Sequence, residues 1–502
     1  MMDTVEPLTA FVLLFVGWYV ISAVYSWYRL RHIPGPFLAT FSYLPLARYA
    51  LTGKQLEYYD STSKKYGSLV RIGPNEILTD DPEVWKQMSG TKSKYWKSGW
   101  YSGSRFNPYH PTTFTTLDPR PHDKAKAQLM PGYTGRDNPG VETDIDAQIN
   151  SLVDLIRRKY ITTPNGGGYR PLNLARTVHF FTLDVISKLS LGEAFGCLET
   201  DSDPHRISET LDAAMPFVIL TADVPWARKV MFSTLYLKLF GPKETDSRGM
   251  GLLMKLANAA VREYFKPDAV IDETRILGSW VRHGATQAHC EVEAAFMFAA
   301  GTDTTATAIR ITILYILATP RIYQRLKDEI ASAVREGRVS QPITQAEARG
   351  LPYLQAVIYE GLRIRPATTS QVSKEVPRGG DTVNGKFIPE GTAIGPNFQP
   401  LLRSKAMFGE DADVFRPERY LEVDEKTRME MQRHVELVFG HGRWMCAGKT
   451  IAFMELNKIF FELFRYFDFQ LVEPMKPMIT FSHGLYIDKG LLVRVTESAI
   501  TS

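Results

Sequence analysis

Cysteine is scarce. The 502 residues contain three, Cys197, Cys290 and Cys446, which cannot build a disulfide framework and fit a reducing compartment. The N-glycosylation acceptor Asn-x-Ser/Thr occurs nowhere, in keeping with a body that stays out of the secretory lumen. A marked excess of charge of one sign is missing too. Lys and Arg number 59 against 55 Asp and Glu, a formal net charge of +4, so bulk charge gives no reason to expect nucleic acid as a partner. No internal repeat or low-complexity tract interrupts the chain. What is plentiful is core-forming material: 44% of residues are hydrophobic and 23% charged, a globular composition with enough apolar side chains for a large core.

Leu8 to Tyr28 is a run of 21 residues without charge, long enough at about 1.5 Å per residue to cross a roughly 30 Å hydrocarbon layer. Trp18, Tyr19, Tyr25, Trp27 and Tyr28 make it aromatic, and Arg29 and Arg31 follow it. The expectation is a single-pass transmembrane anchor over residues 8–28, a lumenal segment over 1–7, a basic, proline-rich hinge over 29–45 around Pro34-Gly35-Pro36, and one cytosolic body over 46–502. A cleaved signal peptide is the competing reading. It usually begins with positive charge, and this chain begins with Asp3 and Glu6.

Through the body, helical periodicity predicts helices over Gln55–Tyr66, Pro82–Met88, His122–Met130, Asp144–Tyr160, Leu174–Leu189, Leu354–Arg365 and Lys449–Phe467. Strands are predicted over Ser68–Ile72 and Glu76–Thr79 as a hairpin, and within Ile479–Thr496 around Ser482-His483-Gly484. Asn384-Gly385 and Glu390-Gly391 bound another short hairpin. Between Ser89 and Pro121 periodicity fails while Tyr95, Trp96, Trp100, Tyr101, Phe106 and Phe114 are scattered among Gly, Ser and Pro. So long and aromatic a loop is usually functional, and substrate contact competes here with surface packing. Gly166-Gly167-Gly168 lacks the strand-before, helix-after context of a phosphate loop and reads as a flexible linkage. Residues 205–226 read as apolar and broken by Pro216.

From Thr286 to Thr319 one helical stretch runs with almost no breaker until Pro320, about 50 Å of helix. Its middle, Ala300-Gly301-Thr302-Asp303-Thr304-Thr305, is built from poor helix formers, and glycine alone costs about 1 kcal/mol there. Oxygen chemistry gives a reason. A small residue there would leave a groove for O2, a hydroxyl on the next turn would steady it or an ordered water, and an acid beside it would relay protons. A hinge defect is the alternative.

Near the C-terminus, Phe439-Gly440-His441-Gly442-Arg443-Trp444-Met445-Cys446-Ala447-Gly448 precedes a helix. A cysteine at a helix N-terminus faces backbone N–H groups and a favourable dipole, which predicts thiolate character. Gly442 and Gly448 would let a flat ligand approach the backbone, and Phe439 would cover the sulfur. Such a thiolate suits a haem axial ligand. A buried cysteine in a glycine-rich turn is the plain alternative.

Taken together, F-x-x-G-x-x-x-C-x-G at 439–448 and A-G-x-D-T-T at 300–305 closely resemble the cytochrome P-450 family. E-x-x-R at Glu360 and Arg363 and the run Phe415-Arg416-Pro417-Glu418-Arg419-Tyr420 follow that family's order. The resemblance spans about Pro34 to the end and looks most like fungal members of specialised metabolism related to pisatin demethylase. It implies a mainly α fold with a small β region, a triangular helical body with its long central helix over haem b. It also implies Cys446 as iron ligand, Asp303 and Thr304 as the oxygen-handling pair with Ala300 and Gly301 lining the oxygen groove, and Glu360, Arg363 and Arg419 as a buried structural network. His122 and Lys126 stand where relatives place haem-propionate donors, with a solvated helix face as the alternative, and Lys374 stands in place of an arginine. Trp444 occupies the usual arginine position of the cysteine loop, with Arg443 displaced by one, and its indole N–H is a donor. Implied partners are an NADPH-cytochrome P-450 reductase, with cytochrome b5 as a second electron donor, and a small apolar substrate. Lys126, Arg443, Lys449 and Lys458 would offer an acidic partner a positive face. Location would be the endoplasmic reticulum membrane. Two other readings stand beside this one: an O2-independent haem-thiolate isomerase or dehydratase, and a non-catalytic haem- or lipid-binding membrane protein.

Overall fold

The computed structural model describes residues 5–163 and 169–500, with side chains described from residue 9 onward except at 11, 12 and 15. The elements that build the site are helices α1 (Val5–Leu30), α2 (Pro119–Tyr133), α3 (Leu174–Leu191), α4 (Ile207–Asp223), α5 (Gln287–Leu317), α6 (Pro352–Ile364) and α7 (Lys449–Tyr466). With them stand, among twelve described strands, β1 (Leu69–Arg71), β2 (Glu76–Thr79), β3 (Trp96–Lys97), β4 (Lys374–Glu375), β5 (Ala393–Pro396), β6 (Ile479–Ser482) and β7 (Tyr486–Lys489). The body is mainly helical with a small β region.

α5 is the axis of the molecule. Thr286 caps it, its hydroxyl accepting from His289 N–H, and 31 residues later it ends just before Pro320. It is apolar on every side because α3, α6, α7 and the helix Gly249–Tyr264 all pack on it, the pattern of a fully buried helix. The main sheet has the strand order β1-β2-β5-β4-β3. β1 and β2 form the expected hairpin, β2 runs parallel to β5, and β4 pairs antiparallel with both β5 and β3. That last pairing sets Lys97 directly opposite Lys374.

Helix ends fall within a few residues of the expected positions, but several expectations need correction. α4 runs straight through Pro216, because Leu211, Met215, Val218 and Ile219 bury one continuous face and outweigh the lost backbone bond. The aperiodic stretch 89–121 holds strand β3 and a short helix, Gly99–Gly103. The proline-rich segment is fastened to the body. Arg71 N–H donates to Pro34 O at 2.8 Å, and a Cβ at Gly35 would lie 2.3 Å from Arg71 O, so the chain is pinned to β1. The transmembrane reading of residues 8–28 finds no support: α1 is present, yet among the described residues no helix is long and apolar enough to cross a membrane. The lumenal segment 1–7 and the glycine triplet at 166–168 lie largely or wholly outside the described residues.

Candidate active site

The cysteine loop turns back on itself through two glycines with positive φ, 79° at Gly440 and 57° at Gly442. A Cβ at Gly442 would sit 2.7 Å from Ser89 O, so that glycine serves the approach of one chain to another rather than of a flat ligand. At Gly448 a Cβ would meet nothing within 4 Å, and there the open side is free for one. Phe439 O accepts the Cys446 N–H at 2.6 Å, and the Phe439 ring packs 5.4 Å from Phe453 of α7.

Cys446 combines two properties that rarely coincide: protein surrounds it on all sides, yet its side chain is accessible. A side chain of that kind lines an internal cavity. Burial pushes its thiol up, and the N–H groups of Gly448 and Lys449 with the charges of Lys126 and Lys449 oppose this without reversing it. The expected thiolate is therefore not what the protein alone favours. A cation at the sulfur is what would make it one.

Around Trp444 the loop meets positive charge. The Lys97 ammonium lies 4.8 Å from its ring centroid, Lys374 5.0 Å, and the His122 ring 4.5 Å. Lys97 donates to the carbonyls of Thr113 and Phe114 at 3.1 and 2.7 Å, and Lys374 donates to the Tyr101 hydroxyl at 2.9 Å. Neither touches a carboxylate among the described residues. Burial, aided by Lys126, lowers Lys97 to about 7, and burial with Lys97 and Lys126 beside it holds Lys374 well below the ordinary lysine range. His122, bonded to Asp123 at 2.9 Å, is lowered to about 4 by burial and by Lys97. Lys126 does something other than expected. Its ammonium donates to Arg443 O and Met445 O, both at 2.8 Å, and so holds the cysteine loop on both sides of Trp444.

A haem fits these residues. Two like charges directly opposite on paired strands are unfavourable without an anion between them, and Trp444 Nε1 is buried without a partner. A ligand presenting carboxylates to Lys97, Lys374 and Trp444, and a cation to Cys446, answers each of these at once. Lys97 escaped the sequence reading. Its signal was a lone cation between Trp96 and Trp100 in the aromatic stretch.

The distal half lies on α5. Phe296 stacks on Phe114 with centroids 5.0 Å apart, and Phe114 lies beside Lys97, which ties this face of α5 to Trp444. One turn on, Ala300 and Thr304 are half-buried while Ala299, Thr302, Asp303 and Thr305 beside them are buried, so these two face open space. Thr304 Oγ1 donates to Ala300 O at 2.9 Å. Gly301 has a different reason for lacking a Cβ than an oxygen groove: a Cβ there would lie 3.0 Å from Ile186 Cγ1 of α3. Asp303 meets His179 of α3, Oδ1 to Nδ1 at 3.0 Å.

Behind the site, Arg363 Nε lies 2.7 Å and Arg419 Nε 3.1 Å from the Glu360 carboxylate. All three are buried, and the guanidinium groups also bond the carbonyls of Leu402, Ala412 and Val414. Three of the cations expected to form a positive docking face are paired within the chain. Lys458 is buried between Glu142 and Asp146 at 2.8 and 2.9 Å, Lys449 pairs with Glu436 at 2.7 Å, and Arg443 pairs with Asp123 at 3.1 Å.

Comparison with known proteins agrees with this geometry. The family model described as cytochrome P-450 matches residues 33–493. The chain is 50% identical to cytochrome P-450 monooxygenase aba1 of Botryotinia fuckeliana, over 93% of this chain and 92% of that protein. It is 45% identical to cytochrome P-450 monooxygenase ABA1 of Pyricularia oryzae, over 95% and 94%, and 30% identical to pisatin demethylase of Fusarium vanettenii, over 90% and 87%. The chain belongs to the cytochrome P-450 family and is a monooxygenase of that family's haem-thiolate kind.

Proposed function

We propose that this enzyme oxidises an unactivated C–H bond of a small apolar metabolite in a fungal specialised-metabolite pathway, of terpenoid, polyketide or alkaloid type, with two electrons from NADPH delivered through a reductase. When bound, haem supplies the oxygen-activating chemistry. Cys446 is the residue that would ligate its iron, and Lys97, Lys374 and Trp444 would take its carboxylates. Lys126 keeps the cysteine loop in place. Phe106, Phe114 and Phe296 present an apolar wall beside the half-buried middle of α5, which supports an apolar substrate.

The observation that carries the reading is Thr304 on the accessible face of α5 with Asp303 adjacent. In this reading the Thr304 hydroxyl holds the proton that Asp303 resupplies. Thr304→Ala should keep consuming NADPH while product per NADPH falls by at least about tenfold. Unchanged coupling would overturn the proton role, and product formed with neither NADPH nor reductase would establish an O2-independent isomerase or dehydratase instead.

Attachment to the endoplasmic reticulum membrane through α1 belongs to the same proposal. Its support is the exposure of most described apolar side chains of α1 ahead of Leu30, among them Leu13, Leu14, Val20 and Ile21.

A further inference from the structure

Among the described residues, the non-glycine residues with positive φ are Asp201, Arg206, Asn384 and Val372. Asn and Asp enter that region readily, whereas a β-branched side chain crowds its own backbone there. Val372 nevertheless has φ 34°. Such strain persists only where the surroundings over-determine it, and here both neighbours are pinned. Gln371 donates to the Tyr59 hydroxyl at 3.0 Å and to Asp223 Oδ1 at 3.2 Å. Its carbonyl lies so close to β5 that a Cβ at Gly395 would be 2.3 Å from it. On the other side Ser373 O accepts the Ser98 N–H at 3.1 Å, and the two serine hydroxyls meet at 2.7 Å.

Between these pins the Val372 carbonyl is taken by Tyr101. Lys374 donates to the Tyr101 hydroxyl at 2.9 Å, and that hydroxyl donates to Val372 O at 3.0 Å. A phenol has a single hydrogen, and with Lys374 donating to its oxygen that hydrogen is committed to Val372. The Tyr101 ring is buried and packs edge-on against Phe114, centroids 5.1 Å apart, which joins it to the aromatic wall that Phe296 of α5 completes. Val372 itself is half-buried, while Ser370, Gln371, Ser373 and Lys374 around it are buried. Its side chain therefore has an open side, as Ala300 and Thr304 have on α5.

We propose that Tyr101 is a positioning residue that holds Val372 in its strained conformation, and that Val372, unable to yield, sets specificity by excluding substrates branched on the side it faces. A valine in relaxed backbone gives way to a bulky ligand through small shifts of its own dihedrals. One fixed at its carbonyl and at both neighbours does not. The substrate class narrows accordingly, to apolar molecules that are slim where they pass Val372. The inference rests on the reading of the aromatic wall and the open face of α5 as an apolar substrate cavity.

The strain is tested by thermal unfolding. In ordinary extended backbone alanine is more stabilising than glycine, and at positive φ the order reverses. Val372→Gly should melt at a higher temperature than Val372→Ala, and the opposite order would overturn the strained conformation. Specificity is tested on the full-length, haem-loaded enzyme, normalised to thiolate-ligated haem by the reduced carbon-monoxide spectrum. Haem absorbance is followed during titration with 1-butylimidazole or its isomer 1-tert-butylimidazole, which differ only in branching. Wild type should prefer the straight chain by at least about tenfold. Val372→Ala should cut that preference by at least about fivefold. Tyr101→Phe, which keeps the ring and loses the hydroxyl, should do the same, and should add nothing in the Val372→Ala background. No preference in the wild type, or an undiminished one in Val372→Ala, would remove Val372 from specificity. An equal effect of Tyr101→Phe in both backgrounds would overturn its action through Val372. If neither isomer perturbs the wild-type haem spectrum, the underlying cavity reading has failed and not merely the role of Val372.

Discussion

At the scale of single residues, the site is defined by side chains whose charges lack partners. Lys97 and Lys374 are the clearest, because they face each other across a strand pair and both are buried. Their protonation gives a prediction with a definite sign. Lys97 has a folded-state value of about 7, below the ordinary lysine value of 10.5. Between those two values the unfolded chain binds more protons than the folded one, so stability of the haem-free protein rises with pH across that window. Lys97→Met should remove this part of the slope, stabilising the haem-free protein at pH 7 by on the order of a few kcal/mol, while the purified enzyme retains less haem. Urea titrations at several pH values check the first half and the haem-to-protein ratio the second. A variant that keeps both its slope and its haem would remove Lys97 from the carboxylate site. The sequence made Cys446 and Trp444 visible because they sit inside a motif of fixed spacing. It left Lys97 and His179 unseen because each acquires meaning only from a partner far away in the chain, Lys374 in one case and Asp303 in the other.

At the scale of elements, the sequence was most readable where periodicity and breakers coincide. α5 was legible because Thr286 and Pro320 bound it, and β1–β2 because Gly73-Pro74-Asn75 separates them. α4 was misread because a local rule about proline lost to the burial of a whole helix face. The middle of α5 also shows how a motif read as chemistry serves packing. Gly301 faces Ile186 of α3 so closely that a Cβ would lie 3.0 Å from Cγ1 and 3.1 Å from Cδ1. Gly301→Ala brings about 1 kcal/mol of helix propensity and incurs overpacking of about 1–3 kcal/mol. The single variant should therefore be destabilised by up to about 2 kcal/mol. In the background of Ile186→Ala, where the obstructing atoms are gone, the same glycine substitution should be neutral or stabilising. Unfolding measurements on the four proteins of this cycle decide the matter. Equal costs in both backgrounds would return Gly301 to the oxygen groove.

At the scale of the whole molecule, α1 raises the question of what covers its apolar side chains. Trp18, Tyr25, Trp27 and Tyr28 are exposed along it, while its C-terminal end is fastened to the body. Arg29 donates to Asn75 Oδ1 at 3.1 Å and to Glu390 O at 2.6 Å, and Arg71 reaches back to Ser26 O at 3.0 Å. The apolar surface continues onto neighbouring elements. Phe37 and Leu38 are exposed in the turn after α1, and Leu44 and Leu51 are exposed on the helix Leu44–Thr52, which packs on α4. Phe217 on α4 and Trp226, Leu235, Leu239 and Phe240 after it are exposed as well. Exposed apolar surface spread over consecutive elements marks an interaction site, and the proposed attachment to a membrane would cover it. Since the fastening to the body begins near Ser26, removing residues 1–24 should leave the haem spectrum and thermal stability unchanged. If the proposed membrane attachment holds, the truncated enzyme should nevertheless keep part of it through Phe217, Trp226, Leu235, Leu239 and Phe240, and lose the rest only when these are also made polar. Flotation with neutral phosphatidylcholine vesicles measures both steps. Full release by truncation alone would assign the membrane contact to α1 by itself, and undiminished binding after both changes would remove the lipid surface from this account.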